Sequence, residues 1–197
     1  MRAALLTLVV LGACAPDIVP GAYLCGPERL CPEDQVCDGV TDTCVSATDA
    51  MPFACGKTTE VEPNNSAAAA EVVPNLQCVS LLTEIKGCTP DGDTEDWYGF
   101  DVPATCGATV ADLHLQFPIA FEELAVELAG GQGTFTGTPV DCGPNLPLDS
   151  GSTDLCVKHA VTAGGHYTVR VARSGQGNCG GACGFNRYTL TLQLGTP

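Results

Sequence analysis

Positive charge is what this chain has least of. Of its 197 residues only 8 are lysine or arginine, against 23 aspartates and glutamates, for a formal net charge of −15. A surface that acidic repels phosphate backbones, which excludes nucleic acid as a partner. Histidines number three and no Cys-x2-Cys pair occurs, so the ligand sets of structural zinc sites are missing. Gly-x-Ser-x-Gly, His-Glu-x-x-His and a glycine-rich phosphate loop are absent too. A hydrolase needs a nucleophile with a base, or a metal with an open position; His114, His159 and His166 are scattered along strand-like runs and read as solvent-facing. No catalytic residues are assigned, and the chain is read as a non-enzyme. One tryptophan and four tyrosines are too few for the stripe of exposed aromatics usual in a polymer binder, which counts against that function without removing it.

Long apolar runs are also lacking. The longest, Ala3 to Gly12, has about half of the roughly twenty residues that a membrane-spanning helix needs. Preceded by Arg2, it has the layout of a secretory signal. The junction Leu11-Gly12-Ala13-Cys14 resembles the bacterial lipobox, whose cysteine receives diacylglycerol and becomes the new N-terminus. Residues 1–13 are then a signal peptide and Cys14 the lipidation site. Ordinary cleavage after Ala15 fits the same small residues, but it would place Pro16 after the scissile bond, where its ring hinders cleavage. A lipobox cysteine carries three acyl chains, enough for a stable anchor. Ala15 replaces the aspartate that retains lipoproteins in the inner membrane, so the expected location is the outer membrane.

What the chain has in plenty is cysteine, glycine and proline, at 13, 23 and 14. Either cleavage removes Cys14 from internal pairing. The twelve that remain are Cys25, Cys31, Cys37, Cys44, Cys55, Cys78, Cys88, Cys106, Cys142, Cys156, Cys179 and Cys183. An even set on an exported chain reads as a disulfide framework. After a tether at 14–24, residues 25–45 hold four cysteines and only Leu30, Val36, Val40 and Val45 as core candidates. Bridges must therefore hold this small module by restricting its unfolded chain. Pairing of first with third and second with fourth is expected, among three connectivities. The module resembles short cysteine-rich segments near the start of exported bacterial lipoproteins. Residues 46–57 form a polar linker.

From 58 to 197 the pattern is strands. Leu113, Leu115 and Phe117 alternate with polar residues, as do Tyr167, Val169 and Val171, and then Tyr188, Leu190, Leu192 and Leu194. Period-2 alternation buries one face of each strand, and such faces need a second sheet to pack on. Turn signals at Pro90-Asp91-Gly92, Gly130-Gly131 and Ala163-Gly164-Gly165 separate them. The prediction is an all-β fold, an antiparallel β-sandwich of jelly-roll-like kind, behind the disulfide-rich module. Ser66 to Val73 reads as a turn or early edge element. Trp97, Tyr98 and Phe100 are expected at the sandwich core and its end, with no role as a ligand platform. Cys142 with Cys156, and Cys179 with Cys183, are the most local pairings; the other partners stay open.

Three segments carry a resemblance. Glu60-Val61-Glu62-Pro63-Asn64-Asn65-Ser66, then Gly92-Asp93-Thr94-Glu95-Asp96-Trp97-Tyr98-Gly99-Phe100-Asp101-Val102, then Gly165-His166-Tyr167-Thr168-Val169-Arg170-Val171 with the strand from Tyr188, resemble in order the bacterial pre-peptidase C-terminal domain. That family is a non-catalytic β-sandwich often attached to secreted proteases. The likeness spans residues 58 to 195. The eight cysteines from Cys55 to Cys183 and the irregular stretch from Gly130 to Asp154 depart from it.

Glu60, Glu62, Asn64 and Asn65 offer oxygen-bearing side chains at the head of this region, and Asp93 and Asp96 add two more. Calcium takes six to eight oxygens of this kind. In calcium-binding relatives, the collagen-binding modules of clostridial collagenases, residues at matching positions hold calcium and clip the lead-in segment to the sandwich. The resemblance therefore implies calcium as cofactor and these six residues as its ligands. A plain turn at Pro63 to Ser66, with Asp93 and Asp96 capping loop backbone, is the other reading. Two functions are expected: a lipid-anchored binding or adhesion module for an extracellular polymer or envelope protein, or a structural companion of a secreted protease.

Overall fold

The computed structural model describes residues 18–74, 76–79, 82–142, 151–175 and 184–196. Cys14, the signal segment, Cys179 and Cys183 lie outside the described residues. Among the described residues no helix is long and apolar enough to cross a membrane.

The small module is built around two short antiparallel strands, β1 (Gln35–Cys37) and β2 (Cys44–Ser46), with Cys37 opposite Cys44. Its bridges are Cys25–Cys37 and Cys31–Cys44, the pairing expected from the sequence. The buried carboxylate of Asp38 ties the following loop together. It accepts the backbone N–H groups of Val40, Thr41 and Met51 and the hydroxyl of Thr41. Those four hydrogen bonds stabilise the ionised form and hold the Asp38 carboxyl down at about 2, with the Thr41 hydroxyl the largest contributor.

The apolar residues expected to form the module's core do not do so: Leu30, Val36 and Val40 are exposed. Instead the cystines pack with Ala120 and Phe121 of the sandwich, flanked by Phe53 and Phe185. Phe53 stacks on Phe185 at 4.1 Å between centroids and meets Phe121 edge-on at 5.0 Å. A domain this small cannot bury enough apolar surface alone, so it borrows the wall of its neighbour.

The sandwich has a five-stranded and a four-stranded sheet. The first runs β3 (Glu71–Val72), β5 (Glu95–Asp101), β10 (His166–Arg173), β7 (Leu124–Gly130), β8 (Gly133–Thr136). The second runs β4 (Thr83–Thr89), β11 (Asn186–Gly195), β6 (Thr109–Pro118), β9 (Ser152–Val161). Every pairing is antiparallel except the two-residue edge contact of β3 with β5. This is the all-β sandwich that the alternation predicts. Leu113, Leu115, Phe117, Tyr188, Leu190, Leu192 and Leu194 of one sheet face Tyr98, Phe100, Val126, Leu128, Tyr167, Val169 and Val171 of the other. Ser66 to Val73 becomes one turn of 3-10 helix at Ala67–Ala69 followed by edge strand β3.

Trp97 departs from expectation. Tyr98 and Phe100 are fully buried, but successive side chains of a strand point to opposite faces, and Trp97 stands half-buried on the outer face. There Arg170 lies over its ring at 5.8 Å.

Three further disulfides staple the region: Cys55–Cys88, Cys78–Cys106 and Cys142–Cys156. The last is the local pair expected from the sequence. The first fastens the 46–57 stretch to β4 across 33 residues of chain, which in the chain-entropy account stabilises by about 4 kcal/mol. That stretch is thus held at Phe53 and Cys55.

Candidate metal centre

Residues 59–65 run from the free edge of β4 to the start of β5, and their side chains are placed by backbone bonds at both ends. The N–H of Thr59 donates to the Lys86 carbonyl at 2.8 Å, and the Lys86 N–H returns to the Thr59 hydroxyl at 2.8 Å. This sends the next side chain, Glu60, over β4, where its Oε1 accepts the N–H of Cys88 at 2.9 Å. At the other end the Trp97 N–H donates to the Asn64 carbonyl at 2.9 Å. Glu62 projects between these anchors and accepts the Asn64 N–H at 2.9 Å.

Glu60, Glu62 and Asp96 each offer a carboxylate oxygen, and these lie within 4.8 Å of one another. Asn64, fully buried, reaches into the same spot: one terminal atom of its amide is 3.1 Å from Glu62 Oε2 and 3.1 Å from Asp96 Oδ1. If that atom is the NH2, the amide bridges two carboxylates. If it is the carbonyl oxygen, four oxygen-bearing side chains converge on one spot, the arrangement a hard cation requires. Asn65 and Asp93 complete the group from outside. Asn65 Nδ2 donates to Asp93 Oδ1 at 2.7 Å, and its Oδ1 accepts the Asn64 N–H at 3.2 Å. All six residues named from the sequence thus meet at one end of the sandwich.

Two residues that sequence reasoning gave to the apolar core alone belong here as well. Tyr98 donates to Glu60 Oε2 at 3.0 Å and Tyr188 to Asp96 Oδ2 at 2.6 Å, while their hydroxyl oxygens are 2.6 Å apart. Tyr188 Oη also lies 3.3 Å from Glu60 Oε2, so two hydroxyl protons face four contacts, and a carboxyl that keeps its proton supplies a further donor. The electrostatics agree. Burial pushes Glu60 up to about 7, against the pull of the Tyr98 hydroxyl, and burial with the nearby Glu60 charge pushes Asp96 up to about 8. Asp93 is raised too, by burial and then by Glu62. Burial is also the main cause that raises both tyrosines. The one signal toward Tyr188 is Gly87, a glycine inside a strand that marks a close approach: a Cβ there would lie 2.2 Å from Tyr188 Cζ and 2.5 Å from Glu60 Oε2.

The donor set fits calcium on its chemistry. Every side chain is a hard oxygen donor, the carboxylates are crowded enough to keep protons when nothing else neutralises them, and Asn64 is buried among acceptors. Calcium would neutralise those carboxylates and join residues 60–64 to β5.

The histidines are not all solvent-facing. His166 is exposed and pairs with Asp101 at 2.8 Å, and His159 stacks on Phe135. His114, by contrast, is half-buried and its Nε2 pairs with Asp154, which is buried.

Fold and site together define an all-β sandwich stapled by disulfides, with a carboxylate and amide clasp at one end. Among solved structures the chain is similar to the pre-peptidase C-terminal domain of a collagenase from Bacillus anthracis, at 18% identity and a TM-score of 0.40, covering 64% of this chain and 94% of that one. It is also similar to PliG of Aeromonas hydrophila, a periplasmic lysozyme inhibitor of g-type lysozyme, at 12% identity and a TM-score of 0.36, covering 64% and 96%. No family model and no curated protein matches the chain.

Proposed function

We propose that the chain is an exported, non-catalytic binding module of the bacterial envelope, anchored by lipid on Cys14 at the outer membrane. Its sandwich presents one face to an extracellular polymer or to another envelope protein, and calcium clips residues 60–64 to that sandwich. The observation that carries the binding reading is Trp97, turned outward under Arg170 near the middle of the five-stranded sheet. Arg170 in turn bridges Glu95 at 2.7 Å and Glu127 at 3.2 Å. Burial acts to raise Glu95, but the Arg170 guanidinium bonded to it helps outweigh that and the carboxyl is held below its ordinary value. A fixed aromatic ring among charges neutralised across three strands is a flat, amphipathic platform. The scarcity of aromatics elsewhere is therefore no bar to a binding face centred on this one.

Support for export comes from the five cross-links among the described residues, which suit an oxidising compartment. The test is capture from polymer arrays and envelope extract with the wild-type chain and Trp97→Ala in parallel. Capture that depends on Trp97 supports the binding module. Capture of nothing by either would favour a spacer or companion without a ligand of its own.

A further inference from the structure

Among the described residues, the Cys142–Cys156 bridge differs from the other four in its neighbour. His114 on β6 is the direct cross-strand partner of Cys156 on β9, and one of its ring nitrogens lies within 4.8 Å of both sulfurs. Residues directly opposite on one face of a pair are in contact range, so the imidazole stands over the bridge. Its orientation is fixed by Asp154, two residues before Cys156, whose Oδ1 holds His114 Nε2. Asp154 is 3% exposed, and its second oxygen has no hydrogen-bond partner among the described residues.

The two sulfurs are unequal. Cys156 is buried in β9, whereas Cys142 is half-buried at the end of the Val140–Cys142 turn that arcs over the sheet. That turn is also held by Thr138, which exchanges both backbone hydrogen bonds with Cys156 at 3.0 Å. The turn therefore stays in place when the bridge opens. None of the other four bridges has a histidine nitrogen grouped with its sulfurs among the described residues.

We infer that Cys142–Cys156 is a thiol-exchange site, opened at Cys142 by a dithiol, with His114 as the acid that protonates the departing Cys156. The attacking thiolate forms a bond to Cys142 Sγ as the Cys142–Cys156 bond breaks. The electron pair leaves on Cys156 Sγ, which takes the His114 proton. The second thiol of the reductant, once deprotonated, then attacks the mixed disulfide and releases Cys142. The dithiol is oxidised to its cyclic disulfide, the protein pair is reduced, and the reverse sequence closes it. A neighbouring cation that stabilises or protonates a leaving thiolate speeds exchange. The strongly acidic surface disfavours anionic thiols and favours a neutral dithiol.

The test is limited reduction of the folded protein with dithiothreitol near neutral pH, quenched by alkylation at timed intervals and mapped by peptide mass spectrometry. Cys142 and Cys156 should be alkylated first, ahead of Cys55 and Cys88, which serve as an internal reference. His114→Gln should slow their opening by about a hundredfold or more, the range for loss of a positioned acid, while the reference pair keeps its rate. The sign separates this from a packing role, because loosening the turn would make the bridge open faster. Opening of another pair first in the wild-type protein would overturn the inference even if the variant does not fold. Equal or faster opening of Cys142–Cys156 in a folded His114→Gln protein would overturn it as well.

Discussion

The hydroxyl oxygens of Tyr98 and Tyr188, on strands of opposite sheets, lie 2.6 Å apart at the inner wall of the carboxylate clasp. Each also reaches a carboxylate, Tyr98 to Glu60 and Tyr188 to Asp96. The pair therefore joins the apolar core to the polar end by a continuous chain of hydrogen bonds. Tyr188→Phe keeps the ring and removes the hydroxyl partner of Asp96, which is buried beside it. Leaving a buried polar group short of a partner costs about 1–3 kcal/mol. Urea unfolding with the bridges intact should show an unfolding free energy lowered by that amount, read as a lower midpoint at unchanged slope; no change would mean the hydroxyl chain contributes nothing.

Calcium binding has its own signature. A ligand that binds only the folded state stabilises by about 2.7 kcal/mol at a hundredfold excess over its dissociation constant. In a chain of this size that is roughly 5–10 °C in melting temperature. Calorimetry should register binding heat, and the melting shift should shrink in Glu62→Gln. Glu62 is exposed, so the variant keeps its fold and isolates the ligand role. An identical shift in both proteins, or no heat at all, would remove calcium from the reading.

Gly87 tests the packing behind the same site. Any side chain there meets the Tyr188 ring and the Glu60 carboxylate well inside contact distance. Both are tied down by hydrogen bonds, so neither yields cheaply. Overpacking of this kind costs typically 1–3 kcal/mol. Gly87→Ala should lower the melting temperature and weaken calcium binding together, whereas Gly131→Ala, with open space around it, should do neither.

Much of this was legible in the chain. The period-2 runs at Leu113, Tyr167 and Tyr188 named the inward faces correctly, since a half-buried strand writes its burial directly into alternation. The bridges of the small module and Cys142–Cys156 were readable because short loops leave few partners. Cys55–Cys88 and Cys78–Cys106 were not, since their closeness depends on strand order across the sandwich, which no local spacing encodes. Alternation outranks hydrophobicity at Trp97: its neighbour Tyr98 faces the core, so Trp97 cannot. The clasp was half legible. Its six polar residues were visible as a cluster, but Tyr188 enters from the far end of the chain.

Asp38 gives the molecule an acid transition. Its folded carboxyl is held at about 2 against an ordinary 3.8, so the sign is that of a depressed acid. The stability it contributes is complete above the unfolded value and is lost as pH falls from about 4 toward 2. Hydrogen exchange at Val40 and Thr41, whose amides Asp38 accepts, should accelerate through that window beyond the intrinsic trend. Asp38→Ala should show low protection at all pH values; a pH-independent wild-type protection would contradict the assignment.

Arg187 decides whether the small module and the sandwich act as one body. Its guanidinium, on β11, donates to the carbonyls of Gly39 at 3.1 Å, Val40 at 3.1 Å and Ala54 at 3.3 Å, and pairs with Asp42. It also lies over the rings of Phe53 and Phe121 at 5.7 and 5.4 Å. Burial raises Asp42 even against that neighbouring charge, so removing the arginine leaves a half-buried carboxyl and three carbonyls short of a donor. Hydrogen bonds from a charged group each contribute about 1.5–3 kcal/mol, enough to govern docking of so small a unit. Arg187→Met, which keeps the apolar stem, should release residues 38–54 to limited proteolysis and deepen hydrogen exchange there. The buried strands β6 and β11 should keep their protection, and Cys55–Cys88 should keep the freed module tethered. If proteolysis of the two regions rises in step, the docking contact is instead part of the sandwich's own stability.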